Sequence, residues 1–393
     1  MLKKRVLILS EGFGTGHTQA AHAIAAGLKR ICPQVHCRVL ELGSFLNPTV
    51  APWILRTYRV TVNSSPNFVG KLYRQKYDKP IGKLSVSALN KLFYAHAAEV
   101  IQRIAPHLII CTHPIPNAVI SRLKKAGLMI PLCTVITDYD AHGAWITPEV
   151  DRYLVSTSEV KDILVGRNIP SSKVQATGIP VHPDFWTVRN KQEVRAELGI
   201  KDMPTALVMG GGWGLLFKDD FIERLSAWKD KIQLVCCVGS NEKLAEKLSQ
   251  HPLLKHENIV VMGYTKEVSK WMDASDLLIT KPGGMTCTEG LAKGVPMLFY
   301  ESIPGMEEKN RDYFIKHGLA KDLNSDELDK WFEQVAIQDT TFKQCLRQHK
   351  SKVNYEPQHC VENVIDLLDL TSLSTINIEA PVLPIATVQQ RAN

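Results

Sequence analysis

Apolar, β-rich runs alternate with helical patterns along most of the chain, and they do so in two successive series. The first is "RVLIL", "CRVLEL", "HLIIC", "LCTVIT", "RYLVS" and the shorter "KVQAT". A proline-punctuated stretch, "GIPVHPDFW", then interrupts the pattern and suits neither a helix nor a central strand. After it "KQEVRAELGI" starts a fresh helix, and "TALVMG", "IQLVCCV", "NIVVMG", "DLLIT" and "VPMLFY" follow. Strands separated by helical crossovers dictate parallel sheets. The predicted fold class is therefore α/β with two similar halves, over 1–185 and 186–350. A C-terminal helix and a loosely held tail are expected over 351–393.

The net charge of +7 is localised. Positions 45–94 hold eight Lys or Arg against the single acid Asp78, which leaves 39 basic and 39 acidic residues elsewhere. The same stretch carries eight aromatics, among them Trp53, Tyr58, Phe68, Tyr73, Tyr77 and Tyr94, and falls between the second and third strands as a helical insertion. Cations interleaved with amphipathic aromatics suit the headgroup layer of an anionic membrane. Nucleic acid and a plain solvated basic face are the alternatives. The basic head "MLKKR" precedes too few apolar residues for a signal peptide, and no run approaches the roughly 18 apolar residues of a spanning helix. Nine cysteines without a C-x-x-C spacing argue against structural zinc and a disulfide framework. The expectation is a reduced, cytoplasmic protein.

Three stretches carry chemistry. "SEGFGTGHTQAAHAIAAGL" links the first strand to a helix, as phosphate-cradling loops do. It matches neither common fingerprint: a P-loop needs glycine where Glu11 stands and lysine where His17 stands, and a dinucleotide loop needs its third glycine at 17. In "TKPGGMTCTEGLAKGVP" the turn at Gly283 and Gly284 opens a helix whose amides would face an anion, with Thr286 and Thr288 adding hydroxyls. Glu289, one turn on, suits a ribose diol. Glu307, Glu308 and Asn310 in "IPGMEEKN" follow the next strand, the edge at which open α/β sheets bind ligands, and suit the hydroxyls of a sugar.

Taken together, "GFGTGH", "TDYDAHGAW", "TGIPVHPDF", "GGGWG", "KPGGMTCTEGLAKGVP" and "PGMEEKN" resemble, in collinear order over residues 4–320, the processive diacylglycerol glucosyltransferases and monogalactosyldiacylglycerol synthases. These are relatives of the N-acetylglucosaminyltransferase of peptidoglycan synthesis. The resemblance implies two Rossmann-like domains with a deep cleft (the GT-B fold), a UDP-sugar bound by the second domain and a lipid acceptor bound by the first. It implies Gly211 and Gly212 near the phosphates, Gly263 and Tyr264 at uracil, Gly283, Gly284 and Thr286 at the diphosphate, Glu289 at ribose, and Glu307, Glu308 and Asn310 at the sugar. Met306 stands where relatives commonly carry glutamine.

Within that resemblance the opening loop reads as acceptor-side and catalytic. Gly14 and Gly16 let the acceptor approach, and His17 at the helix start serves as base or hydrogen-bond donor. The alternative is a phosphate or backbone hydrogen-bonder without base function. Asp138 with Asp140 is formally the D-x-D pair that holds manganese elsewhere, but it follows a strand of the acceptor half, and the resemblance implies transfer without metal or other cofactor. Asp138, a second catalytic candidate, and His142 are then acceptor-site residues or alternative bases, with Trp145 on the acceptor side packing beside lipid and His113 lining the cleft. The expected activity is an inverting hexose transfer from a UDP-sugar to diacylglycerol or a related lipid, at the inner face of the membrane and without nucleic acid. Competing classes are a UDP-sugar 2-epimerase, which shares the architecture, and a membrane-associated UDP-sugar sensor without turnover.

Overall fold

Apolar strands with no polar alternation need cover on both faces, which parallel sheets receive from their crossover helices. A computed structural model, which describes residues 4–82, 94–210, 217–300, 302–336, 353 and 355–374, has two such sheets. The first holds β1 (Arg5–Ser10), β2 (His36–Glu41), β3 (Leu108–Cys111), β4 (Leu132–Val135), β5 (Arg152–Val155) and β6 (Val174–Ala176), in the order β2-β1-β3-β4-β5-β6. The second holds β7 (Thr205–Met209), β8 (Gln233–Cys237), β9 (Ile259–Met262), β10 (Leu277–Thr280), β11 (Met297–Phe299) and β12 (Ala320–Asp322), in the order β12-β11-β10-β7-β8-β9. Every strand pair is parallel, with Ile8 opposite Ile110 and Val208 opposite Ile279.

Alternate residues of each strand supply the two faces. Val6 and Ile8 pack with Ile24 and Leu28, while Leu7 and Leu9 pack with Leu42, Ile101 and Val119. In the second sheet Leu207 and Leu278 face one side, and Val208 and Ile279 face the other. Each such side chain contributes about 1.5–3 kcal/mol through burial. All eleven runs read as strands from the sequence are strands. β12 was not anticipated, because "AKD" is short and polar and earns its place only by pairing with β11 (Met297 opposite Ala320).

Both sheets change crossover direction at their first strand: β1 lies between β2 and β3, and β7 between β8 and β10. The carboxyl ends of β1, β3, β7 and β10 are therefore where a ligand crevice opens. Between β2 and β3 the chain forms the helices Ala51–Ser64 and Pro66–Gln75, both opened by proline in the first turn, where its missing N–H costs nothing. Part of the expected insertion, 83–93, lies outside the described residues, as do the expected tail beyond 374 and the candidates Gly211 and Gly212.

Long-range contacts around the joining segment and the last helix tie the chain together. Lys293 is buried with its Nζ 2.8 Å from Asp273, and it also donates to the carbonyls of Asp184 and Thr187 at 3.0 and 2.6 Å. This pins the segment joining the two sheets to the second one; removing one partner of such a buried pair costs about 3–5 kcal/mol. The helix His359–Ser374 returns to the first sheet, where Val361, Val364 and Leu368 join the cluster of Val6, Ile8, Ile24 and Leu28. Tyr355 OH donates to the carbonyl of Ile179 at 2.9 Å.

The returning helix presses on Gly27, where an added Cβ would stand 2.6 Å from Val361 Cγ2 and 3.1 Å from Trp186 Cζ2. Helix propensity favours alanine at a mid-helix position by about 1 kcal/mol, whereas overpacking costs about 1–3 kcal/mol. Gly27→Ala is therefore expected to lower the midpoint of denaturant unfolding, and Val361→Ala in the same chain to offset part of the loss. A raised midpoint for Gly27→Ala would show that packing does not govern this site.

Candidate active site

The crevice located by topology is a cleft of about 390 Å³ between the two sheets. The loop after β1 brings Phe13, Gly14, Gly16 and His17; the loops after β3 and β4 bring His113, Thr137, Asp138, His142 and Trp145. The opposite wall is the turn after β10 and its helix (Lys281, Gly283, Gly284, Thr286, Glu289) with Met306, Glu307 and Asn310. Of the candidates read from the sequence, Gly263, Tyr264, Thr288 and Glu308 do not line this cleft; the Thr288 hydroxyl is buried and donates to the Gly284 carbonyl at 2.6 Å. Tyr264 is 65% exposed, and Glu308 pairs with Arg74 at 2.8 Å.

His17 Nδ1 lies 2.7 Å from Thr137 Oγ1, which leaves Nε2 for a cleft ligand. Its ring meets those of His113 and Trp145 edge-on at 4.8 and 5.9 Å. Burial lowers its pKa to about 4, so at neutral pH the imidazole is uncharged. Asp138 is pushed up to about 6, chiefly by burial and further by Asp140 and Glu307, against the opposing hydrogen bond from Asn310. Glu289 is pushed up to about 8 by burial alone. Below that pH it carries a proton and can both donate and accept, as a vicinal diol requires.

The other two histidines have their roles decided by hydrogen bonds. His142 Nδ1 accepts the Ala144 N–H at 3.0 Å, so Nε2 holds the proton and donates to the Tyr73 carbonyl at 3.2 Å. With both nitrogens occupied, His142 holds the loop and is not an alternative base. His113 Nδ1 accepts the Ile115 N–H at 3.2 Å, capping the helix Pro114–Lys125 and turning Nε2–H into a donor. Trp145, expected beside lipid, is 3% exposed, and its carbonyl is held by Asn117 at 3.0 Å. The two aspartates of the D-x-D pair have different partners: Asp138 Oδ1 accepts from Asn310 at 3.1 Å, and Asp140 accepts from Tyr77.

Several contributors escaped the sequence reading. Lys281 Nζ binds Glu307 Oε1, while Glu307 Oε2 accepts the Ile303 N–H at 3.0 Å. The Lys281–Glu307 pair thus stands beside the anion-binding turn, and Lys281 was visible only as the residue before a proline. Glu11, noted as out of place in a P-loop, is 2% exposed and accepts from Gly43 N–H (2.7 Å) and Tyr94 OH (2.9 Å). Burial raises its pKa to about 7. Tyr58, Tyr73 and Tyr94, grouped by sequence with headgroup-facing aromatics, turn inward: Tyr73 lies 4.2 Å from the His142 ring, and Tyr58 OH is 3.9 Å from Met306 Sδ. Trp53 and Phe68 stay outside, 70% and 65% exposed.

Two facing parallel sheets, with titratable groups on one wall and a glycine turn at a helix start on the other, define the GT-B class. MurG of Acinetobacter baumannii shares the fold with a TM-score of 0.55 and 16% identity, covering 93% of this chain and 99% of that one. MnaA of Staphylococcus aureus, solved with UDP, does so with 0.58 and 14%, covering 95% and 98%. The family model described as "Monogalactosyldiacylglycerol (MGDG) synthase" matches residues 17–181, and that for the "Glycosyltransferase family 28 C-terminal domain" matches 205–362. The processive diacylglycerol beta-glucosyltransferase of S. aureus strain MRSA252 is 30% identical and that of S. epidermidis 29%, each covering 94% of both chains. The chain belongs to this family of diacylglycerol glycosyltransferases.

The Glu289 side chain makes no hydrogen bond to the described residues, so its exchangeable partners are those a ligand brings. Glu289→Ala is expected to weaken UDP binding by about tenfold, the equivalent of one net hydrogen bond. Titration calorimetry reads this directly, and unchanged affinity would remove Glu289 from the ribose.

Proposed function

We propose that this chain is an inverting, metal-independent glycosyltransferase that moves a hexose from a UDP-sugar to diacylglycerol at the inner face of a membrane. The observation that carries the reading is the pairing, across one cleft, of His17 and Asp138 with the Gly283–Gly284 turn and Glu289. Family membership favours this activity over the epimerase and sensor alternatives.

In the proposed step the acceptor hydroxyl attacks the anomeric carbon from the face opposite the diphosphate. The new C–O bond forms as the bond to the phosphate oxygen breaks, which inverts the centre. The hydroxyl proton passes to a base on the first wall, and UDP leaves with the bonding pair. Asp138, near 6, is better matched to neutral pH than His17, near 4, and His17 is uncharged throughout the physiological range. Amides at the helix start of Gly284–Lys293, with Lys281 beside them, would stabilise the charge growing on the leaving phosphate. Metal independence is supported by the separate engagement of Asp138 and Asp140.

The acceptor side has a lipid-facing character. On the helices Ala51–Ser64 and Pro66–Gln75, Trp53, Val60, Phe68 and Leu72 are 70%, 58%, 65% and 47% exposed, beside exposed Arg56 and Lys71. Apolar side chains flanked by cations bind the boundary of an anionic bilayer, each cation contributing about 1 kcal/mol. Among the described residues no helix is long and apolar enough to cross a membrane. Peripheral attachment through this pair of helices, at the mouth of the cleft, brings the acceptor to His17. The described cysteines are free thiols, in keeping with a cytoplasmic face.

The deciding assay offers UDP-glucose, UDP-galactose or UDP-N-acetylglucosamine to the protein on anionic vesicles containing diacylglycerol, with and without EDTA. One donor is expected to yield a glycolipid, undiminished by EDTA; EDTA-dependent product would refute metal independence. His17→Ala should lower kcat by on the order of 100-fold with UDP affinity intact. If Asp138 is the base, kcat/KM falls with unit slope below pH about 6, because protonation removes the carboxylate; a profile flat to pH 5 would exclude it. Trp53→Ser with Phe68→Ser should abolish vesicle sedimentation, and Arg56→Gln with Lys71→Gln should weaken it most at low salt. Unchanged sedimentation in both would move the membrane surface elsewhere.

A further inference from the structure

Segment 137–139 follows β4 of the first sheet, yet Asp138 and Tyr139 find partners in the second domain. Tyr139 stacks on Tyr313 at 4.6 Å and meets Phe314 edge-on at 4.7 Å. Its hydroxyl lies 2.9 Å from Thr288 Oγ1 on the donor-side helix. At the tip of that helix, a Cβ on Gly284 would stand 2.2 Å from the Thr137 carbonyl oxygen, a closeness only glycine allows. The floor of this socket is Asn310, 1% exposed. Its side-chain oxygen accepts the Tyr139 N–H at 2.7 Å, and its amide donates to Asp138 Oδ1 at 3.1 Å.

We propose that Asn310 is a positioning residue that registers the two domains: by gripping segment 137–139 it sets where His17 and Asp138 stand relative to the donor turn. The inference rests on the transferase reading above and departs from the sugar-binding role that the sequence suggested for Asn310. Three observations carry it. Both ends of the Asn310 amide are already engaged by the first domain, and almost none of the residue is exposed to a ligand. Thr137, in the gripped segment, is also the hydrogen-bond partner of His17 Nδ1 at 2.7 Å, so the grip is passed on to the imidazole. The same segment touches Gly284, so one short peptide connects base and phosphate cradle. A misplacement of about 1 Å between reacting groups is sufficient to cost on the order of 100-fold in rate.

The chemistry of the contact allows a swap. Asn310→Asp keeps the oxygen that accepts from Tyr139 but turns a carboxylate toward Asp138; combining it with Asp138→Asn restores a donor and an acceptor with their direction reversed. We would measure kcat and KM, the affinities for UDP and UDP-hexose, and the radius of gyration by X-ray scattering, for Asn310→Ala, Asn310→Asp and the double variant.

Asn310→Ala should lose on the order of 100-fold in kcat, with the ratio of UDP-hexose to UDP affinity unchanged. Asn310→Asp should be more expanded in solution than the wild type, and the double variant should recover the wild-type radius. A tenfold fall in that affinity ratio for Asn310→Ala would make it a sugar ligand and overturn the proposal. So would wild-type kcat, or a double variant as expanded as Asn310→Asp. If the wild type makes glycolipid from no donor, the transferase reading falls on its own, and the affinity ratio and the radii still decide the role of Asn310.

Discussion

The carbonyl of Thr137 occupies the space where any residue but glycine at 284 would put its β-carbon. The loop after β4 and the start of the helix after β10, one on each wall of the cleft, meet at this contact. Hydrogen bonding and stacking around it are dense: Asn310 on Asp138 and Tyr139, Tyr139 on Thr288, Tyr313 and Phe314. Hydrogen bonds and stacked rings share this face, and interfaces between domains are in general more polar than domain cores. The segment joining the sheets is pinned to the second one, and the C-terminal helix returns to the first.

Burial sets the charge state of the cleft. It drives His17 down to about 4, Asp138 up to about 6 and Glu289 up to about 8, in each case by penalising the charged form. At neutral pH the cleft therefore offers a neutral imidazole and a protonated Glu289, with Lys281 paired to Glu307. Such a site is suited to a dianionic diphosphate, because few fixed negative charges oppose its entry and backbone amides at a helix start wait for it. Asp138, pushed up to about 6, is on the wall of the first domain, where the proposed transfer needs a proton taken up.

The helices between β2 and β3 serve two surfaces at once. Their outer sides carry Trp53, Val60 and Phe68 in the open, while Tyr58 and Tyr73 reach inward to Met306 and His142. Arg74 is held by Glu308 of the second domain, and a Cβ on Gly70 would lie 2.6 Å from the Pro304 carbonyl. Composition could count the cations and aromatics of this stretch but could not sort them, because sorting depends on which side of each helix meets the protein.

Local order was written in the chain itself. Eleven strands, their two series and the turns at Gly14–Gly16 and Gly283–Gly284 follow from apolar period, β-branched content and glycine placement, all short-range properties. Because strand order then puts the switch points at β1/β3 and β7/β10, most of the site candidates fell on one cleft. What the sequence could not decide were the long-range pairings: that both nitrogens of His142 are occupied, that Asn310 faces the other domain, that Lys281 meets Glu307, and that the last helix returns to the first sheet. A residue's type states which hydrogen bonds it can make, whereas which partner it meets, and how far burial moves its proton, depends on segments brought together from as much as 365 positions away.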